Sequence, residues 1–158
     1  MRWLLFPFAM FVKLMTLFYC KRRTGFKNIP KKGPFIAVAN HGSYLDHFIT
    51  GIELFMRTGQ YPKYLAKKEH FDTPGQRLWH KYLNAIPIDR QAGGTKALRH
   101  AIKALKEGAV IFIYPEGTRT LTGKLNRGKT GSARLAIAAK VPIVPMGLSD
   151  PFKILPKG

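Results

Sequence analysis

Two short motifs carry the residue types that could do chemistry. The first is Asn40-His41-Gly42-Ser43-Tyr44-Leu45-Asp46, the second Tyr114-Pro115-Glu116-Gly117-Thr118-Arg119. An imidazole exchanges protons near neutrality, and a carboxylate beside it fixes its tautomer and stabilises the imidazolium. His41 and Asp46 therefore read as a general base and its partner, suited to activating a hydroxyl. Ser43-x-x-Asp46 also matches a capping box, so Asp46 could serve the start of a helix as well. In the second motif, backbone N–H groups around Gly117 and Thr118 could form an anion-binding concavity. Arg119 could clamp a phosphate with its planar fork. Glu116 could accept hydrogen bonds from a polyol or orient Arg119. Arg90 follows Ile88-Asp89, and Lys67 and Lys68 end a short apolar run. Each could add to an anion site or be a solvated surface charge.

These residues need elements to hold them. Continuous or alternating apolar runs predict strands over 34–40, 63–67, 85–89, 109–115 and 142–146. Between them, helices are expected from Asp46 to Arg57, over 74–83, from Thr95 to Glu107 and from Ser132 to Lys140. Pro74 suits a first helical turn, and Gly108 suits a stop. Strands alternating with helices predict an α/β fold, a largely parallel sheet flanked by helices. Ligands in such sheets bind outside the carboxyl ends of the strands. His41, Arg90, Glu116 and Arg119 all follow strands, so one edge of the sheet is expected to gather them.

The 158 residues suit one core, and 46% hydrophobic content excludes a disordered chain. Lys and Arg number 27 against 8 acids, a formal charge of +19. Such a surface attracts anionic lipid, nucleic acid or an acidic carrier. One cysteine, Cys20, excludes an internal disulfide and Cys-rich zinc sites. No metal-ligand spacing, Walker loop or Gly-x-Ser-x-Gly elbow is present, and no nucleic-acid-binding signature accompanies the charge. Residues 3–12 are continuously apolar, Lys13 interrupts, and Lys21-Arg22-Arg23 follow. A spanning helix needs about 20 apolar residues. An interfacial helix on anionic lipid fits better than a span, a signal peptide or a core helix. The expected organisation is a membrane-associating segment over 1–23 and an α/β domain over 24–158.

Taken in order, Asn40-His41-x-Ser43-x-x-Asp46, Ile88-Asp89-Arg90, Pro115-Glu116-Gly117-Thr118-Arg119 and Val141-Pro142-Ile143-Val144-Pro145 resemble the four blocks of the glycerolipid acyltransferases, in the lysophosphatidate acyltransferase branch. The resemblance implies acyl transfer from a coenzyme A or acyl-carrier-protein thioester to the free hydroxyl of lysophosphatidate, giving phosphatidate. No metal and no further cofactor are implied. His41 would be the base and Asp46 its partner. Arg90, Glu116, Gly117, Thr118 and Arg119 would bind the glycerol phosphate, with Lys67 a looser match. Another lysophospholipid or an amino-acid lipid would be the alternative acceptor. Membrane association at the cytoplasmic face and an anionic membrane partner are implied, with no nucleic acid. Tyr114 stands where the family more often has Phe. Family members usually continue past the last block, which implies a short member or a C-terminally truncated chain.

Overall fold

The computed structural model describes residues 22–89 and 95–153, together with residues 10, 11 and 14. Five strands form one parallel sheet: β1 (Phe35–Ala39), β2 (Lys63–Lys67), β3 (Ile86–Ile88), β4 (Val110–Ile113) and β5 (Ile143–Met146). Their order across the sheet is β3-β2-β4-β1-β5. Four α-helices connect them: α1 (Asp46–Thr58), α2 (Pro74–Tyr82), α3 (Thr95–Lys106) and α4 (Gly131–Ala139).

Alternation along each strand divides the core in two. Phe35, Ala37, Tyr64, Val110 and Phe112 pack with Leu54 of α1 on one face. Ile36, Ile86 and Ile111 pack on the other with Ala101, Ala104 and Leu105 of α3 and Leu135 of α4. The central strands are apolar on both faces because both are covered. β4 ends at Ile113, earlier than the apolar run suggests, because Tyr114 and Pro115 already turn out of the sheet.

Local sequence explains the helix limits. In α3, Ala97, Ala101, Ala104 and Leu105 form the buried stripe, and Gly108 follows at a φ of 84°. Thr73 caps α2, accepting from the Gln76 amide at 3.3 Å, with proline in the first turn. Gly51 lies within α1 because a Cβ there would meet the Tyr64 hydroxyl at 2.6 Å. The capping box at α1 forms only in part. Asp46 Oδ2 accepts from the Ser43 amide at 2.8 Å, but the Ser43 hydroxyl accepts from the Leu45 amide instead.

The N-terminal membrane-associating helix expected over 1–23 falls largely outside the described residues. Met10, Phe11 and Leu14 are helical and exposed. Among the described residues no helix is long and apolar enough to cross a membrane.

Candidate active site

His41 stands two residues beyond β1 and Tyr114 one residue beyond β4. These strands are hydrogen-bonded neighbours, with Val38 opposite Ile113. Adjacency brings the two motifs together at the carboxyl edge. The β1–β5 pairing brings a third loop to the same place. Asn40 fixes that loop: its side-chain amide donates to the Leu148 carbonyl at 2.9 Å and accepts from the Leu148 amide at 2.8 Å. Gly42 is tightly approached as well, since a Cβ there would meet Pro151 Cγ at 2.8 Å.

Asp46 is fully buried, and its Oδ2 is the hub of the first motif. It accepts from the Gly42 amide at 2.7 Å and the Ser43 amide at 2.8 Å, and contacts His41 Nδ1 at 2.8 Å. An oxygen already holding two backbone donors assigns the proton at this contact to Nδ1. Nε2 is then the lone-pair nitrogen, the arrangement a general base needs. The His41 side chain is 16% exposed. Its ring stacks on Tyr114, with centroids 3.8 Å apart and planes 10° from parallel. Imidazole position and plane are thus both fixed.

His41 lines a cavity of about 810 Å3, whose wall includes Val38, Pro115, Met146, Leu148 and Phe152. The Arg119 guanidinium lies 3.5 Å from the centre of the Tyr44 ring. Stacking leaves the edge of a guanidinium, with its N–H groups, available to an anion. Lys67 is exposed at the end of β2, the other neighbour of β4. Lys68 pairs with Asp89 at 3.3 Å. Partial burial first, then His80 and Lys67, holds the His70 pKa below its ordinary value against the pull of Glu69.

Two residues of the second motif have partners within the protein. Gly117 was expected to offer its amide to an anion. In the structure that amide donates to the Tyr114 carbonyl at 3.0 Å, closing the turn, and Gly117 serves it with a φ of 73°. Glu116 was expected to meet a polyol or Arg119. It is 5% exposed, and its oxygens accept from the His41 amide at 2.7 Å and the Asn126 amide at 2.9 Å. The partners observed make it a clamp joining the β1 exit, its own turn and the following loop. Thr118 is exposed beside Arg119. Arg90 lies outside the described residues. Its strand, β3, is the far edge of the sheet, three spacings or roughly 14 Å from β1.

Sequence reasoning missed three contributors. Asn40 had its place in the motif as a signal. The Thr50 hydroxyl donates to the Asp46 carbonyl at 2.7 Å, legible only as a spacing of four within a helix. Burial above all, then the charge of His41, holds the His47 pKa down to about 4, so the imidazole behind the base stays neutral. Nothing in the sequence distinguished it from an ordinary helix histidine.

A buried carboxylate holds an imidazole in place at the carboxyl edge of a parallel sheet, an arrangement able to move a proton. Comparison gives the family: residues 21–149 match the acyltransferase family model, and the chain belongs to that family. It is 31% identical over 144 residues to the chloroplastic 1-acyl-sn-glycerol-3-phosphate acyltransferase of Brassica napus, covering 89% of this chain and 40% of that one. It is 31% identical over 133 residues to the 1-acyl-sn-glycerol-3-phosphate acyltransferase of Bacillus subtilis, covering 84% and 65%. The crystal structure of the 1-acyl-sn-glycerophosphate acyltransferase PlsC from Thermotoga maritima superposes with a TM-score of 0.67 at 35% identity, over 85% of this chain and 52% of that one. The chain thus spans between two fifths and two thirds of the length of these relatives.

Proposed function

We propose that the protein transfers a fatty acyl group from a coenzyme A or acyl-carrier-protein thioester to the free hydroxyl of 1-acyl-sn-glycerol-3-phosphate, giving phosphatidate. The observation that carries the proposal is the 2.8 Å contact of His41 Nδ1 with fully buried Asp46, with His41 in the wall of a cavity. His41 Nε2 takes the proton of the acceptor hydroxyl as its oxygen attacks the thioester carbonyl. A carbon–oxygen bond forms, the carbon–sulfur bond breaks, and the departing thiolate takes the proton back from the imidazolium. Asp46 offsets the charge that His41 carries between these steps. The scheme uses no metal and no prosthetic group.

Arg119 holds the acceptor phosphate through its free edge, with Lys67 adding charge from β2 and Arg90 assigned to the same anion on family grounds. Thr118 borders that position. Glu116 and Gly117 act on the substrate indirectly, by shaping the turn that carries Arg119. A lipid acceptor calls for work at a membrane surface, and a coenzyme A or acyl-carrier-protein donor favours its cytoplasmic face. The test is a turnover assay with acyl-coenzyme A and a panel of lysophospholipids and amino-acid lipids, reading released thiol. Lysophosphatidate is expected to be the best acceptor. Equal use of an acceptor without a phosphate monoester would defeat the assignment of Arg119, and silence with every acceptor would defeat the function.

A further inference from the structure

The loop after Arg119 combines features that the proposed chemistry leaves unused. From Gly117 to Ser149 the chain contains no acidic residue, while Arg119, Lys124, Arg127, Lys129, Arg134 and Lys140 fall within that stretch. Every residue from Leu121 to Thr130 is exposed. Leu121 is 64% exposed and Leu125 77%, so two large apolar side chains stand in water among cations. Asp150, the acid that follows, pairs with Lys153 at 3.2 Å.

The loop is also held in place. The Thr120 amide donates to the His41 carbonyl at 2.9 Å, the Asn126 amide to Glu116 at 2.9 Å and the Lys129 amide to the Pro115 carbonyl at 2.8 Å. Between these ties, the Thr122 amide donates to the Thr120 hydroxyl at 3.2 Å. These ties hold the loop with both leucines facing out. Exposed leucines interleaved along the chain with Lys124, Arg127 and Lys129 match an anionic bilayer surface: leucine reaches the acyl boundary while Lys and Arg stay at the headgroups.

We infer that residues 121–129 form a membrane-docking loop that seats on anionic headgroups and carries the His41 cavity to the lipid plane. The inference rests on the proposed lipid acceptor. Glu116 binds the amides of both His41 and Asn126, so one carboxylate ties the loop to the base. Docking the loop therefore sets the height of the base above the bilayer. Leu121 and Arg127 stand outside the lining of the His41 cavity, so they can be changed without altering it.

The experiment uses the full chain. A Cys20→Ser, Leu121→Cys variant carries an environment-sensitive fluorophore and is mixed with vesicles of phosphatidylglycerol and phosphatidylcholine, or of phosphatidylcholine alone. Emission is expected to shift to the blue with the anionic vesicles only. A Leu121→Ser, Arg127→Ser variant is expected to partition onto anionic vesicles about tenfold or more weakly. It should lose turnover on vesicle-borne lysophosphatidate while keeping it on a short-chain, monomeric lysophosphatidate. Unshifted emission in vesicle-bound protein, or unchanged partitioning of the double variant, would overturn the inference. So would unchanged partitioning joined to a raised KM for acyl-acyl-carrier-protein, which would make the loop a dock for an acidic donor protein. Loop-dependent binding without turnover on any acceptor would count against the acyl-transfer reading and leave the docking loop standing.

Discussion

Replacing Glu116 with Gln separates two jobs that its place in the second motif leaves open. The carboxylate accepts from the His41 amide at 2.7 Å and the Asn126 amide at 2.9 Å, in a residue 5% exposed. Glutamine keeps one acceptor and turns the other into an NH2 group facing an N–H. A hydrogen bond to a charged group is lost, worth about 1.5–3 kcal/mol, and a buried donor is left unpaired at about 1–3 kcal/mol. These costs overlap, so Glu116→Gln is expected to lower stability by about 2–4 kcal/mol. The loop carrying His41 also loses an anchor, and a misplacement of about 1 Å can cost ~10²-fold in rate. Urea unfolding should show a lower midpoint, and thiol-release kinetics should show a lower kcat at a nearly unchanged acceptor KM. Asn126→Ala is the control: its backbone N–H is the donor, so both measurements should stay near those of the parent. A Glu116→Gln protein of parental stability with a raised acceptor KM would refute the clamp and make Glu116 a substrate ligand.

Four further outcomes are expected. His41→Ala should lower kcat by about 10²–10⁴-fold with the circular dichroism spectrum preserved, whereas retained turnover would remove His41 as the base. Asp46→Asn should lower both rate and stability, because Asp46 serves the Gly42 and Ser43 amides as well as His41; a stability loss alone would leave it only the helix start. Arg119→Lys keeps the charge but loses the planar fork, so the acceptor KM should rise while the donor KM holds. His47 is held near 4 against an ordinary 6.5, so below 6.5 the unfolded chain binds a proton that the folded chain refuses; stability should fall as pH drops from about 6.5 to 4, by at most about 3 kcal/mol, and His47→Phe should flatten that part of a urea-midpoint profile against pH.

Local sequence was enough to read the strands and helices of the described α/β domain and the chemical groups they carry. Five strands and four helices occur where apolar periodicity, Pro74 and Gly108 indicated, because those signals are local. The His41–Asp46 contact was also legible: five positions separate the two residues, and the start of a helix turns one back toward the other. Tertiary structure alone decided the strand order. That order makes β1 the neighbour of both β4 and β5, so Asn40 meets Leu148 and His41 meets Glu116 across 108 and 75 positions of chain. It also brought the His41 and Asn126 amides to Glu116 and closed a turn with the Gly117 amide. A buried carboxylate accepts from whichever amides the packing brings to it, and which amides those are depends on sheet neighbours that no local pattern encodes.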